Sequence, residues 1–406
     1  MADDTTDTVA PTIEASFAAD PETLLGWAED GGAVLSSILD ESHAPDLNRV
    51  MRTYTQAEIL GLVGEKHQKT LRSWVHEFVV PRHSKASQQN RIRLTVDELY
   101  EFMADHDLLP TRPRDSKPFR IMVGAYKGGS SKSTLTLHLA HYLASKMWRV
   151  LVIDTDSQAT LTKAFGWMPD HIDDDETLRP VFEAITDKKP VPALRHRKTH
   201  LPTVRLTPSN RRVMESDIDL ALAFRNDAGS DFYTALGHSL SLIEDEFDII
   251  LIDTPPAFSL TSVATVWASN ALIMPMPAAV PDFAATFDFC EMVGGLAKIL
   301  ESMSGTRKVW EPALVIHSKV ESNSTADTVR SLAGEVFRGQ RIEEFIPLTA
   351  AVSNSFGEFK SVYEMTGTTV DSRSLARARE AYNAVGSRVE RILIGVWERQ
   401  ALEARE

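Results

Sequence analysis

The most constraining feature of the sequence is a short polar loop between an apolar strand and an apolar helix. The loop reads Tyr126-Lys127-Gly128-Gly129-Ser130-Ser131-Lys132-Ser133-Thr134, after a strand predicted over 120–125 and before a helix predicted over 135–145. Glycines let backbone N–H groups converge on an anion, and a helix N-terminus favours negative charge. In such loops a lysine reaches the β- and γ-phosphates, and the following hydroxyl ligates Mg²⁺. The pattern therefore predicts a phosphate-binding loop.

The loop departs from the standard pattern G-x-x-x-x-G-K-[ST] at two positions, Tyr126 and Ser131. The variant K-G-G-x-x-K-[ST] fits without exception. This variant adds a second lysine, Lys127, at the entrance of the loop.

Three aspartates follow apolar strands elsewhere in the chain. Asp154 and Asp156 come directly after the strand predicted over 150–153, and Asp253 ends the four-aliphatic run 249–252. Because the carboxyl ends of parallel strands converge on the ligand crevice, we expect these carboxylates near the phosphates. There an aspartate holds Mg²⁺ or its waters, or orients an attacking water.

Strands and helices alternate from residue 120 onward. The predicted strands are 120–125, 150–153, 248–252, 271–275, 313–316 and 344–346. Several are nearly continuous Ile, Val and Leu runs, which is typical of parallel strands covered by helices on both faces. The predicted fold is α/β, a mostly parallel doubly wound sheet, ending in a long C-terminal helix of about 30 residues. The single cysteine, Cys290, excludes a disulfide framework and a multi-cysteine metal site within one chain.

In order and spacing, these motifs resemble the deviant Walker P-loop NTPases of the ParA/MinD/Soj class over roughly 119–366, including the segment Leu206-Thr207-Pro208-Ser209-Asn210. The resemblance implies ATP or ADP with Mg²⁺ as cofactors and a dimer in which Lys127 reaches the nucleotide of the other subunit. It also implies catalytic roles for Lys127, Lys132 and Asp156. The implied nucleotide contacts are Lys127, Gly128, Gly129, Ser130, Ser131, Lys132, Ser133, Thr134, Asp154, Asp253 and Pro347. Ser133 and Asp253 would hold the Mg²⁺, Asp253 through water.

The sequence departs from that family in the segment 347–352, which lacks the arginine that short members use for nonspecific DNA binding. Ser157 also stands where most members have proline. Possible substitutes for the missing arginine are Lys319, Arg330, Arg338, Arg341 and Lys360.

The charge of the chain is unevenly distributed. The formal net charge is −14, from 43 Lys and Arg against 57 Asp and Glu, which taken alone argues against a nucleic-acid binder. Residues 1–48, however, hold eleven acidic residues and no Lys or Arg, whereas residues 66–93 hold seven basic residues and one acidic residue. The acidity is therefore local, and a basic block follows it.

The basic block resembles a winged helix-turn-helix of the MerR-like type. Two capping-box patterns, at Thr55 and Thr95, predict helices over 55–62 and 96–103. A recognition helix over 69–78 and a wing over 81–94 lie between them. Base edges are read from the start of a recognition helix, and wing residues suit phosphate contacts. The DNA-binding candidates are Gln68, Lys69, Arg72, Arg82, Lys85, Arg91 and Arg93. The alternative is a small helical domain with a solvated basic face.

The predicted organisation has five parts. They are an acidic tail (1–20), an N-terminal helix with a possible dimerisation role (21–48), the winged helix-turn-helix (49–109), a proline-rich linker (110–118) and the ATPase domain (119–406). The N-terminus lacks the apolar segment of a signal peptide, and we expect a cytoplasmic, nucleoid-associated protein.

This combination resembles the large plasmid partition ATPases of the SopA and RepA type. The resemblance implies a homodimer whose weak ATPase is stimulated by DNA and by a ParB-like centromere-binding partner. It further implies segregation of plasmid or replicon DNA and repression of the partition operon through the helix-turn-helix. Two alternatives stay open. One is a MinD-like membrane-associated positioning ATPase, and the other is a nucleotide-sensing transcriptional repressor without a segregation role.

Overall fold

The computed structural model describes residues 21–27, 30–31, 49, 52–63, 70, 73–78, 93–225, 231–367 and 370–404. The chain divides into two units, residues 1–44 and residues 45–406. In the first unit, residues 21–27 and 30–31 are helical, as the apolar pattern after Pro21 predicts.

The second unit begins with a small group of strands and helices. We call this group, which is a part of the second unit, the 52–109 unit. Strand β1 (Tyr54–Thr55) pairs antiparallel with strand β2 (Arg93–Leu94). Helices α1 (Gln56–Val63) and α2 (Val96–Asp105) follow the two strands and confirm the helices predicted there. The predicted recognition helix is helical at residues 70 and 73–78; its other residues, and the predicted wing apart from β2, lie outside the described residues.

Helices α1 and α2 of the 52–109 unit both start at capping boxes. The Glu98 carboxylate accepts the Thr95 backbone N–H at 2.8 Å, while the Glu98 N–H donates to the Thr95 hydroxyl at 3.2 Å. Thr55 and Glu58 form the same reciprocal pair at the start of α1. Each pair satisfies backbone groups that the first helical turn leaves without a partner, which explains why the helices begin there.

A small hydrophobic core holds the 52–109 unit together. Its buried members are Tyr54, Ile59, Val75, Phe78, Leu94, Val96, Leu99, Phe102 and Met103, with Trp74 partly buried against them. Met147, which follows the helix Lys132–Ser145, is also fully buried in this core. The buried Met147 side chain therefore attaches the 52–109 unit to the rest of residues 45–406.

An eight-stranded sheet forms the centre of the larger fold, in the order β10-β9-β8-β3-β7-β4-β6-β5. All neighbouring strands are parallel except β5, which pairs antiparallel with β6 at one edge. The strands are β3 (Phe119–Val123), β4 (Val150–Asp154), β5 (Arg197–Lys198), β6 (Val204–Thr207), β7 (Ile249–Asp253), β8 (Ala271–Pro277), β9 (Ala313–Val320) and β10 (Arg341–Pro347).

The predicted strands are confirmed as β3, β4, β7, β8, β9 and β10, most of them one to four residues longer than predicted. Strands β5 and β6 were not predicted, because they are short and lack a continuous aliphatic run. The central strands β4 and β7 are buried at every position, as expected for strands between two helical layers.

Helices cover both faces of the sheet. They are α3 (Lys132–Ser145), α4 (Thr160–Ala164), α5 (Arg179–Thr186), α6 (Glu215–Arg225), α7 (Phe232–Ser241), α8 (Leu260–Ala268), α9 (Val280–Ser304), α10 (Ser324–Phe337), α11 (Ala350–Gly357) and α12 (Ser372–Glu403). Helix α3 is buried along nearly its whole length, so the loop before it is held on a fixed element.

The predicted long C-terminal helix is confirmed as α12. Trp397 near its end packs against Phe119 and Trp148, with ring centroids 4.8 Å and 5.3 Å apart. The indole N–H of Trp397 donates to the Lys117 carbonyl, so the proline-rich segment 110–118 is held against the fold. Within the described residues, none of the helices combines the length and the apolar character that crossing a membrane requires.

Candidate functional site

The polar loop lies where β3 ends and α3 begins. Gly129 and Ser131 both have a φ of +75°, on either side of Ser130. Such alternation turns successive backbone N–H groups towards one side and forms an anion-binding concavity. The Ser130 side chain is buried, and its hydroxyl has no hydrogen-bond partner among the described residues. The loop therefore presents donors that suit an anion.

Lys132, at the first position of α3, is buried in this loop. Its ammonium donates to the Lys127 carbonyl at 3.3 Å. Burial lowers the pKa of Lys132, and the nearby carboxylates of Asp253 and Asp156 oppose that shift. A buried ammonium with one backbone acceptor leaves donors available to a phosphate.

Asp154 and Asp253 occupy opposite positions on the adjacent parallel strands β4 and β7. Both carboxylates are fully buried. Both carboxylate oxygens of Asp154 accept hydrogen bonds from nearby residues. One oxygen accepts from the backbone N–H and the hydroxyl of Thr162 at 2.9 Å and 2.7 Å, and the other accepts the Asp156 N–H at 3.1 Å. Asp154 therefore supports the loop that follows β4.

Asp253 is the carboxylate with an oxygen available for a ligand. Its Oδ1 accepts from the Thr136 hydroxyl at 3.3 Å, whereas its Oδ2 has no hydrogen-bond partner among the described residues. Burial raises the pKa of Asp253 well above its ordinary range, the charge of Asp154 raises it further, and the Ser133 hydroxyl opposes the rise. An unpartnered buried carboxylate oxygen beside a serine hydroxyl fits the oxygen ligands that Mg²⁺ prefers.

Asp156 lies at the mouth of the site and is partly buried. One of its oxygens accepts the Gln158 N–H at 2.9 Å. The charge of Asp156 acts on Lys132, so the two side chains lie near one another. This position allows Asp156 to contact a water beside a bound phosphate.

Lys127 points away from the loop that carries it. Its ammonium forms an ion pair with Asp282, in the first turn of α9, at 3.2 Å, and half of the lysine side chain is exposed. Sequence reasoning did not single out Asp282, since a lone acidic residue at a helix start is common.

Two residues of strand β9 donate hydrogen bonds to backbone carbonyls of the loop. The Ser318 hydroxyl donates to the Ser130 carbonyl at 3.2 Å, and the Lys319 ammonium donates to the Gly129 carbonyl at 2.7 Å. Lys319, considered above as a DNA-binding candidate, therefore contacts the loop itself. No sequence signal marks these two residues beyond their place at the carboxyl end of a parallel strand.

A cavity of about 140 Å³ adjoins the loop on the side of β10 and α11. Ser131 and Thr134 line one wall, and Pro347, Val352 and Phe356 line the other. The predicted contact Pro347 is thus placed next to the loop, in a partly apolar recess of the kind that a planar base fills.

The DNA-binding candidates are only partly described. Arg93 is exposed and donates to the Thr53 hydroxyl at 3.2 Å. Gln68, Lys69, Arg72, Arg82, Lys85 and Arg91 lie outside the described residues.

The remaining basic candidates on the larger fold are mostly paired. Arg330 lies 3.8 Å from Asp327, Arg341 2.5 Å from Glu343 and Lys360 3.4 Å from Glu358. Arg338 is exposed.

The chain is similar to known partition and replication proteins. A family model described as an AAA domain matches residues 120–300. A putative replication protein A of Sinorhizobium fredii is 23% identical over 370 residues, 88% of this chain and 90% of that protein. Protein SopA of Escherichia coli (strain K12) is 28% identical over 292 residues, 69% and 72% of the two chains. A solved structure titled Partition Protein covers 92% of this chain and 99% of its own, with a TM-score of 0.61 and 18% identity. The predicted P-loop NTPase fold is confirmed.

Proposed function

Because the chain belongs to the ParA-type family of partition ATPases, we propose that it binds ATP with Mg²⁺ at the loop 127–134 and hydrolyses it. The observation that carries this proposal is the buried ammonium of Lys132, which faces Asp156 and Asp253 at the carboxyl edge of β3, β4 and β7. An anion that enters this space meets a cation, a helix N-terminus and oriented N–H groups.

Each residue of the site has a distinct role in this proposal. Lys132 and the backbone of 128–134 bind the phosphates, and Ser133 and Asp253 hold Mg²⁺, Asp253 through water. Bound Mg²⁺ neutralises charge on the phosphates. Asp156 orients the attacking water. Asp154 keeps the loop 154–162 in place through its bonds to Thr162. The base of the nucleotide occupies the cavity beside Pro347.

Lys127 acts in a dimer. Its half-exposed side chain and its surface position support a role outside its own site, at the nucleotide of a second subunit. Dimer formation then replaces the ion pair with Asp282 by contacts to phosphate. The ATP-bound dimer binds DNA nonspecifically, and a ParB-like partner stimulates hydrolysis and release. The residues 49–109 bind the operator and repress the operon.

ATP turnover tests the proposal directly. Phosphate release from the full chain is measured alone, with linear duplex DNA, and with DNA plus a ParB-like protein from the same genome. We expect slow turnover that rises with DNA and partner, and loss of turnover in Lys132→Gln. Lys146→Gln, at the other end of α3, is the matched control. Turnover that Lys132→Gln leaves unchanged contradicts the site, and turnover without a response to DNA or partner contradicts the segregation role.

The attachment of the 52–109 unit through Met147 favours a second candidate, a nucleotide-sensing repressor without a segregation role. Lys132→Gln separates the two functions. If the protein is only a repressor, the Lys132→Gln variant keeps operator binding in one nucleotide state. Plasmid retention in dividing cells then also stays normal. Loss of plasmid retention supports the first function.

The MinD-like alternative needs an amphipathic C-terminal helix with an exposed apolar face. Near the end of α12, Val396, Trp397 and Ala401 are buried. Arg399 is paired with Glu311 and lies 3.7 Å from Glu403. This arrangement does not favour membrane binding, and sedimentation with anionic liposomes checks it.

A further inference from the structure

A buried carboxylate, Glu364, lies in the loop between α11 and α12, behind the nucleotide site. Its Oε1 is 2.5 Å from the Arg49 guanidinium, and its Oε2 accepts the backbone N–H and hydroxyl of Ser361 at 2.8 Å each. Nε2 of His141 and Nε2 of His200 each lie 3.3 Å from one of the two oxygens. All four ionisable side chains are almost completely buried.

Two histidines and a glutamate are also a common zinc ligand set, and their ligand atoms lie within 4.8 Å of one another. Here, however, the Arg49 guanidinium already contacts Glu364 and supplies the positive charge. A divalent ion beside it would add two more positive charges to a space that holds one carboxylate. The cluster is therefore organised as an ion pair with two flanking histidines.

Arg49 also bonds to the element that carries the aspartate loop. Its Nη1 donates to the Ala164 carbonyl, at the end of α4, at 2.8 Å. Two residues earlier in the same helix, Thr162 holds the Asp154 carboxylate through two hydrogen bonds. A shift of the loop after β4 therefore moves an acceptor of Arg49.

Helix α3 connects the same cluster to the phosphate loop. The Val362 N–H donates to Nε2 of His138 at 3.1 Å, so Nδ1 carries the proton and donates to the Thr134 carbonyl at 2.6 Å. One turn further along α3, His141 faces Glu364. Thr134 ends the phosphate loop, and a displacement there reaches the loop that holds Glu364.

In the sequence, Arg49 precedes the 52–109 unit by three residues. A second attachment of that unit is the buried Met147 side chain, and a cleft of about 440 Å³ opens on each of two sides of this contact. One cleft is lined by Tyr54 and Tyr142, and the other by Leu108 and Trp148. Because these clefts are open, the 52–109 unit has room to change its orientation. Arg49 holds the chain three residues before this unit begins.

We propose that Arg49, by binding Glu364 and the end of α4, is a positioning residue that couples the state of the nucleotide site to the 52–109 unit. The coupling rests on the proposed nucleotide site. It needs no new ligand, because Arg49 bonds to Ala164 at the carboxyl end of α4 and its partner Glu364 lies 3.3 Å from His141 of α3. Nucleotide exchange then changes how firmly the chain entering the 52–109 unit is held.

Hydrogen–deuterium exchange of the full chain tests the coupling, without nucleotide, with ADP and with ATPγS, each nucleotide with Mg²⁺. In the wild type, peptides covering 52–63 and 93–105 should change their exchange rate by roughly twofold or more between states. In Arg49→Met this response should be lost, while ADP affinity stays within about threefold. Because Arg49→Met leaves the charge of Glu364 buried without the guanidinium, a double variant is measured in parallel. This variant, Arg49→Met/Glu364→Gln, replaces both charged side chains with neutral ones, and we call it the neutral pair.

Arg52→Met is the matched control, because Arg52 pairs with Glu58 inside the 52–109 unit. It should keep the nucleotide response. An unchanged response in the neutral pair overturns the coupling, and so does a wild type whose 52–109 unit does not respond although ADP binds. If a fluorescent ADP analogue does not bind the wild type, the nucleotide site itself is contradicted. Equimolar binding of ZnCl₂ that Glu364→Gln abolishes would make the cluster a metal site and overturn the role of Arg49.

Discussion

Asp154 and Asp253 lie side by side at the ends of neighbouring strands, yet only Asp253 keeps an oxygen without a partner among the described residues. Asp253→Asn should therefore abolish the effect of Mg²⁺ on nucleotide binding. We expect ADP affinity with Mg²⁺ to fall by at least about tenfold, roughly 1.4 kcal/mol, to the value measured in EDTA. Fluorescence titration with and without Mg²⁺ measures this. A variant that still binds ADP more tightly with Mg²⁺ contradicts the metal role of Asp253.

Asp154 should make the fold less stable as the pH rises. Burial raises the pKa of Asp154 to about 6, with the charge of Asp156 adding to the rise and the Thr162 bonds opposing it. An unfolded aspartate titrates near about 3.9. Between about pH 4 and pH 6 the unfolded state thus loses a proton that the folded state keeps, so stability is lost as the pH rises through this window. The loss approaches about 3 kcal/mol.

Urea unfolding in EDTA at pH 4.5 and pH 7 measures this effect. Asp154→Asn loses hydrogen bonds at every pH, so only the difference between the two pH values is compared. The free energy of unfolding of the wild type should fall relative to that of Asp154→Asn as the pH rises. Asp170→Asn, at an exposed position that does not act on Asp154, is the control. Parallel pH dependences of wild type and Asp154→Asn would show that Asp154 is ionised in the folded state.

The sequence predicted the strands and their polar ends because both signals are local. A continuous aliphatic run identifies β7, and the convergence of parallel strand ends then places Asp253 near Lys132. The capping boxes at Thr55 and Thr95 are local in the same sense, since each involves residues three apart.

Long-range contacts of single side chains were not predictable in this way. Arg49 and Glu364 are separated by 315 positions, and neither belongs to a pattern that marks it. Asp282 and Lys319 reach the loop only because α9 and β9 pack beside it. The edge strand β5 forms by pairing with β6 and has no apolar run of its own.

Releasing Lys127 from its ion pair should favour the dimer. The Lys127 side chain of this pair is half exposed, so the contribution of the pair to stability is at most about 1 kcal/mol. Asp282→Asn should lower the free energy of unfolding by no more than about 1 kcal/mol and tighten the ATP-dependent dimer by up to about fivefold. Analytical ultracentrifugation in an Asp156→Ala background, in which we expect hydrolysis to be blocked, measures the proposed dimer. Asp327→Asn, which removes an exposed carboxylate 3.8 Å from Arg330, is the control. A weaker dimer in Asp282→Asn would indicate that Asp282 contacts the second subunit instead.

The contact between α12 and α3 depends on a glycine. A Cβ at Gly386 would lie 2.3 Å from Cγ of the Tyr142 ring, whose hydroxyl is fixed by a hydrogen bond to Glu390. Because the ring cannot withdraw without breaking that bond, Gly386→Ala should lower the free energy of unfolding by about 1–3 kcal/mol. Gly395→Ala, at a position on the same helix where an added Cβ would enter open space, should instead raise it by about 0.5–1 kcal/mol. Urea unfolding of both variants measures this. Equal stability of the two would contradict the close packing of α12 on α3.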